Sequence, residues 1–240
     1  MKKLFFLTVS LLVSVAMLMT ACKKDNPKPD NADNQETPGG GTTSVNWVDL
    51  GLPSGLLWAD CNVGAQKPED YGNFYAWGET SAKGEYNWDT YAYGSGSFEL
   101  TKYCGMPLYG LNDFTDSLTT LEASDDVAMV KLGDGARIPT KAEWQELKAK
   151  TTNTWTTRNG VYGCLLTASN GNSIFLPAAG RRENMNHWYM GSAGYYWSSS
   201  VMTEGPSDAW IFQIFSSGNE FWSLQRCYGL SVRAVRASQN

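Results

Sequence analysis

The sequence predicts an α+β fold: small twisted sheets, two short helices and long loops. Three observations predict it. From residue 45 onward, short runs of aromatic and β-branched residues alternate with Gly, Ser, Asn and Pro clusters, the pattern of strands joined by turns. Helix signals gather in only two places, before Leu132 and before Lys150. The last third, Leu176 to Arg236, sets His187, Trp188, Tyr189, Tyr195, Trp222 and Tyr228 on polar segments between strand signals. Loops run over surfaces, so several of these rings should be partly exposed. For any single ring, burial in the core is the commoner fate.

The elements follow in order. Lys2 and Lys3 precede an apolar run, Leu4 to Met19, and the small pair Thr20-Ala21 then meets Cys22. This is a secretory signal over residues 1–21. The run is short for a membrane anchor, which takes ~20 apolar residues. Residues 22–44 are rich in Pro, Gly, Asn and charge and cannot bury enough surface to fold. Such a tether reaches roughly 25 Å as a coil. Residues 45–240 are long enough for a single domain with a sizeable core. All ten Trp lie there, spread along it, so one core should extend throughout.

Within that domain, Val45–Leu50 and Leu56–Cys61 read as strands broken by the turn Gly51–Gly55. Asn73–Trp77 is a short aromatic strand. Gly78–Asn112 has no period and is expected to be a long ordered loop pinned by Trp88, Tyr91, Tyr93 and Tyr103, and loops of that length are often functional. Asp113–Ala123 continues irregularly. Ser124 caps a helix over Asp125–Leu132, with both acids in its positive first turn, and Gly133 ends it. Thr140 opens the clearest helix, Lys141–Lys150, through a capping box with Glu143. Trp144 and Leu147 share its inner face, and Lys148 and Lys150 suit its C-terminal dipole. Val161–Ala168 and Ser173–Pro177 form a hairpin around Asn170-Gly171-Asn172. Strands over Tyr195–Ser199, Ala209–Phe215, Phe221–Gln225 and Leu230–Val235 complete the pattern.

The formal net charge of −5 leaves no basic footprint for nucleic acid. Of five cysteines, the four after Cys22 are not in CxxC pairs, which argues against a zinc knuckle. Export permits disulfides and three pairings, yet a domain this size does not need them, and buried free thiols are expected. The one histidine, His187, lacks an adjacent acid, so it reads as a surface or ligand-contacting residue rather than a catalytic base. HExxH, GxSxG and P-loop motifs are absent. Ser198-Ser199-Ser200 reads as strand hydroxyls bonding backbone. Asp125 and Asp126, with Asp113 or Asp116, do not follow a calcium loop and read as helix-start acids. Arg226 is another basic residue of the last third, and Arg233 and Arg236, on the expected final strand, should pair with acids in the body of the fold. Arg181 and Arg182 stand at a loop mouth, where an anionic ligand would meet them.

Several motifs together resemble one family. Trp47–Gly55, Trp58-Ala59, Cys61–Ala65 and Phe74–Glu79 look like the opening of Bacteroidetes lipoproteins with the Fibrobacter succinogenes major paralogous domain. Arg137–Thr140 with Glu143 and Trp144 is similar to its middle. Leu176–Gly180, Tyr196–Ser199 and Gly229–Arg233 resemble its end. The resemblance spans residues 45–237. It implies a C-type-lectin-like fold related to formylglycine-generating enzymes, with long loops over a small sheet binding ligands. The segment before Cys22 resembles a lipobox, with Met19 where Leu or Val is commoner. That implies cleavage before Cys22, lipidation on it and anchorage in a membrane, held by several acyl chains. Lys23, Lys24 and Asp25 resemble export signals to the outer face of the outer membrane. Formylglycine-generating enzymes use a close cysteine pair, and Cys227 has none near it in sequence. The variable proteins of diversity-generating retroelements also end in a similar motif. His187, Tyr189, Ser207, Asp208, Cys227 and Tyr228 suit their adenine-directed variation, but Trp188, Met190, Glu204 and Gln225 do not. A static relative is therefore expected.

These readings converge on a cell-envelope, outer-membrane lipoprotein, periplasmic or surface-exposed. It would bind a glycan or protein ligand without catalysis, cofactor or metal. The alternatives are an enzyme of formylglycine-generating type and a structural or adhesive component of a surface assembly. The binding face is expected on Asn184–Met190, Met202–Asp208 and Ser223–Tyr228, converging at one end of the sheet. Its candidate residues are His187, Trp188, Tyr189, Asp208, Trp222, Gln225 and Tyr228, with Trp188 as anchor.

Overall fold

The computed structural model describes residues 45–238. The secretory segment 1–21, Cys22 and the tether to residue 44 lie outside the described residues.

The described residues form a strand-rich α+β fold of small antiparallel sheets. Strand β1 (Trp47–Asp49) and strand β2 (Leu56–Asn62) pair across the turn that Leu52 and Gly55 close. Helix α1 (Val127–Leu132) and helix α2 (Lys141–Lys150) come next. Strands β3 (Thr151–Arg158), β4 (Val161–Ala168) and β5 (Ser173–Pro177) make one sheet. Strands β6 (Arg181–Glu183) and β7 (Asn186–Trp188) make a hairpin. Strands β8 (Ala193–Val201), β9 (Asp208–Phe215) and β10 (Gly218–Gln225) form a meander. Strand β11 (Arg233–Ala237) returns to the free edge of β2, so the domain's first and last strands flank one another's partner.

Helix α2 is the keystone between sheets. Thr140 and Glu143 form the expected capping box, and Trp144 and Leu147 are fully buried. The Trp144 ring stacks on Phe212 at 4.9 Å and meets Trp58 edge-on at 4.9 Å. Its indole N–H donates to the Trp197 carbonyl at 3.2 Å. One aromatic residue thus ties α2 to β2, β8 and β9.

The long loop is ordered by rings, as expected. Trp88, Tyr91, Tyr93 and Tyr103 contact one another in sequence, at 5.5, 5.9 and 6.0 Å between centroids. The four described cysteines are free and buried. Ser198 Oγ donates to the Trp210 carbonyl at 2.9 Å, a backbone role as read. Among the described residues no helix is long and apolar enough to cross a membrane.

Several expectations are corrected. Asn73–Trp77 makes only an isolated bridge, Tyr75 to Leu230, because its ladder is too short for a strand. The helix before Leu132 starts later than expected. Ala123–Asp125 is a 3-10 turn, and Asp126, not Ser124, caps α1 by accepting from Ala128 and Met129 N–H. Asp125 turns away to Lys102 and Tyr103, at 2.6 Å each. The threonine-rich β3, overlooked in the sequence, follows α2 without a linker. The last strand is Arg233–Ala237 rather than Leu230–Val235, since Leu230 and Ser231 only bridge Tyr75 and Tyr196. The arginines also differ. Arg233, expected to pair with an acid, is fully buried and bonds neutral oxygens, and so does Arg226.

Candidate functional site

The hairpin of β6 and β7 builds the site. Arg181 stands opposite Trp188, Arg182 opposite His187 and Glu183 opposite Asn186. This corrects the loop expected over Asn184–Met190 in part: Asn186–Trp188 is strand, while the tip at Met185 and the turn at Tyr189 and Met190 are not. Asn184 turns the chain with φ +52, a conformation that Asn tolerates. The hairpin is docked on both flanks. Asn184 exchanges two backbone bonds with Tyr86, and Arg182 exchanges two with Gly229. A side chain at Gly229 would come within 2.7 Å of the Tyr86 ring, so the close approach requires glycine.

Alternation along β6 sends its two arginines to opposite faces. On one face, Arg182 lies over Phe74 at 5.6 Å, and His187 meets Phe74 edge-on at 4.9 Å. His187 Nε2 is 2.6 Å from the Ala179 carbonyl. Burial pushes the imidazole pKa below its usual value; the bond to Ala179 opposes this and Arg182 adds to it. The ring is therefore neutral and donates Nε2–H to that carbonyl. His187 thus holds the hairpin against Phe74 and Ala179, on the face away from Arg181.

On the other face sits Arg181. Its guanidinium lies 5.6 Å from the Tyr189 ring, 5.6 Å from Tyr195 and 5.2 Å from Tyr228. Nη2 donates to Glu183 at 3.1 Å, and the Tyr228 hydroxyl donates to the other Glu183 oxygen at 3.2 Å. Nε is buried and has no hydrogen-bond partner within the protein. Burial, with Glu183 beside it, pushes the Tyr228 phenol up to about 12. Burial also raises Tyr195, against the pull of Arg181. Gln213 Nε2 donates to the Tyr195 hydroxyl at 3.3 Å.

Register extends this face. Tyr195 pairs with Gln213, which pairs with Glu220. Trp222 lies two residues on from Glu220 and shares its side of the sheet. Tyr195 is buried, 6% exposed, and forms the floor; Trp188, Tyr189, Met190 and Trp222 are 47, 53, 57 and 61% exposed. Tyr189 has φ +60, a strained conformation for an aromatic residue. Its carbonyl is held by Ser192 and Ala193 N–H at 3.0 Å each.

Asp208 and Gln225 form a second group, paired at the start of β9 and the end of β10. The Asp208 carboxylate accepts from Ser223 Oγ at 3.1 Å, and burial raises its pKa. The Cys227 thiol reaches Gln225 Oε1 at 3.8 Å, and burial pushes it up to about 12, which makes it a poor nucleophile. The expected convergence of three stretches at one end is corrected. Met190 precedes β8 and Met202 follows it, so they lie at opposite ends of that strand. Ser223–Tyr228 serves both groups, with Gln225 beside Asp208 and Tyr228 carried back to the hairpin through Gly229.

Sequence reasoning set Arg181 at a loop mouth facing an anionic ligand but did not make it the centre, and it missed Glu183 and Gln213. The doubled arginine followed by glutamate was visible, but the three rings around it come from separate stretches. A cleft of ≈ 800 Å³ between the Leu52–Pro53 turn, Lys150, Thr152, Thr167 and Ser169 was also not foreseen. Among the described residues no group of three or more His, Cys, Asp or Glu is placed to hold a metal ion. No family model, curated protein or solved structure matches the chain.

Proposed function

We propose that the chain is an outer-membrane lipoprotein, anchored through Cys22, whose C-type-lectin-like domain binds a glycan or protein ligand without catalysis. The binding face is the Arg181 side of the β6–β7 hairpin with Tyr195, Tyr228 and Trp222. The observation that carries this is the run Trp188-Tyr189-Met190, exposed side by side next to a guanidinium enclosed by tyrosine rings. Exposed Trp, Tyr and Arg grouped around a rigid floor are the residue types that dominate binding energy. A hairpin docked by four backbone bonds holds them in place before any ligand arrives, which lowers the ordering cost of binding. The resemblance to the lipoprotein family described above supports the same reading.

The test is Trp188→Ala in the full chain. Trp188 is half exposed, so the melting temperature should stay within a few degrees of the parent. Binding on a glycan array, or to envelope proteins caught by cross-linking, should weaken by ~2 kcal/mol or more. A large fall in melting temperature, or unchanged binding, would remove Trp188 from the face.

A further inference from the structure

We infer that the Arg181 cluster receives a carboxylated sugar, a uronic acid residue of an acidic glycan. Arg181 would take the carboxylate while the Tyr189 ring packs on the pyranose face. The inference rests on the reading of this hairpin as the binding face and names the ligand class it takes.

Charge is the first ground. The whole chain is acidic, at −5, yet residues 181–190 carry two arginines against one glutamate. Arg182 lies on the opposite face, over Phe74, so on this face Arg181 meets Glu183 through one nitrogen, at 3.1 Å, and keeps further donors that no carboxylate engages.

The second ground is an unused donor. Buried polar groups are almost always bonded, and an exception calls for an explanation. Nε of Arg181 is buried without a partner, while the side chain as a whole is 19% exposed. Of the three rings around it, Tyr195 is floor and Tyr228 is tied to Glu183. Tyr189 is the ring that is both exposed and set on a strained backbone. In this proposal the Tyr189 ring, 5.6 Å from the guanidinium, swings aside to admit the carboxylate to Nε. A carboxylate accepts from Nε and a neighbouring Nη together, the fork that arginine offers and lysine does not.

The third ground selects a sugar over an acidic side chain. A uronic acid holds its carboxylate at the edge of a ring whose C–H face is apolar. One such residue meets a guanidinium and an adjacent aromatic ring at once, and Tyr189 lies 5.6 Å from Arg181. Its hydroxyls find polar partners in Glu183 and Gln213, which bond Tyr228 and Tyr195 respectively. Further along the chain of sugars, Trp188 and Trp222 offer more exposed ring surface. An aspartate or glutamate side chain has no comparable apolar face.

The experiment titrates the full chain with oligomers of galacturonic, glucuronic and mannuronic acid. Each is paired with its methyl ester, and a glutamate peptide of equal charge serves as a further probe. Calorimetry and tryptophan fluorescence follow binding. At least one free acid should bind with about a tenfold or greater preference over its ester, as a lost charge-assisted bond predicts. Raising salt should weaken that binding, and Arg181→Gln should abolish the preference. If Arg181→Gln does not fold, Arg181→Lys and Tyr189→Ala give the same reading, each lowering affinity for the acid. Equal binding of acid and ester overturns the carboxylate assignment but leaves a glycan-binding face intact. A glutamate peptide that binds as tightly as the sugar acids overturns the sugar assignment. Should no uronic acid bind while Trp188→Ala still abolishes binding to another ligand, the inference fails and the binding face stands.

Discussion

Arg226 carries a full charge in the interior and holds no carboxylate. Its Nε donates to the Tyr91 hydroxyl at 2.9 Å, Nη1 to the Tyr103 and Pro206 carbonyls at 3.2 and 2.9 Å, and Nη2 to Lys102 at 3.0 Å. The rings of Trp77, Tyr91 and Tyr103 lie 5.0, 5.4 and 5.9 Å from the guanidinium. A planar fork satisfies several oxygens on separate segments, and ring faces replace part of the lost hydration. The residue thereby pins the long loop to the segment before β9. Arg226→Met would leave three carbonyls and a hydroxyl without their donor. Each orphaned group costs ~1–3 kcal/mol, so the variant should lose ~3 kcal/mol or more in denaturant titration. An unchanged midpoint would mean that the loop is held by its rings alone.

At the scale of elements, α2 shows local signals acting together. Thr140 Oγ1 accepts from Glu143 N–H at 3.3 Å, and Glu143 accepts from Thr140 N–H at 2.8 Å. Thr140→Ala should cost ~1 kcal/mol, read as a shifted midpoint at constant slope; no shift would show that the cap contributes nothing. Glu143 also takes two bonds from Arg137, at 2.7 and 2.5 Å. Burial pushes the Glu143 carboxyl up, but Arg137 and the Thr140 N–H outweigh it and hold its pKa below the usual glutamate value. A depressed folded pKa contributes stability that is present above the unfolded value and lost as pH falls through the folded one. Unfolding midpoints should therefore drop as pH falls through the ordinary glutamate range and below it. Glu143→Gln should be less stable at neutral pH and show a shallower acid loss, and an equally steep loss would assign it to other carboxylates. The same logic of local signals holds for the β4–β5 hairpin, which forms over the residues its alternation marks. It fails for β6 and β7. Three-residue strands carry too little pattern to be seen, and these pair only because Tyr86 and Gly229 hold their flanks.

At the scale of the molecule, β2 is paired by β1 on one edge and β11 on the other, so the domain begins and ends on the same small sheet. The anchor is open to a direct check: Cys22→Ser should abolish fatty-acid labelling of the chain, and equal labelling of both forms would sink the anchor.

The sequence by itself determined what short-range chemistry controls. The capping box of α2 joins residues three apart, Trp144 and Leu147 mark its buried face, and the ring-rich loop after Gly78 reads as ordered because its rings recur so closely. The strand-rich α+β class follows from the same spacing rules. Tertiary structure decided what those rules do not reach. Tyr189, Tyr195 and Tyr228 look alike in the sequence, yet one is exposed, one is floor and one is tied to Glu183. Arg233 looked like half of an ion pair, and its oxygens come from Asn62, Ala59 and Phe175. Arg181 became the centre of a site because Gly229, far along the chain, brings Tyr228 to it. Local periodicity states which side of a strand a residue occupies. Which distant segment covers that side depends on packing the whole chain at once, and no local pattern records it.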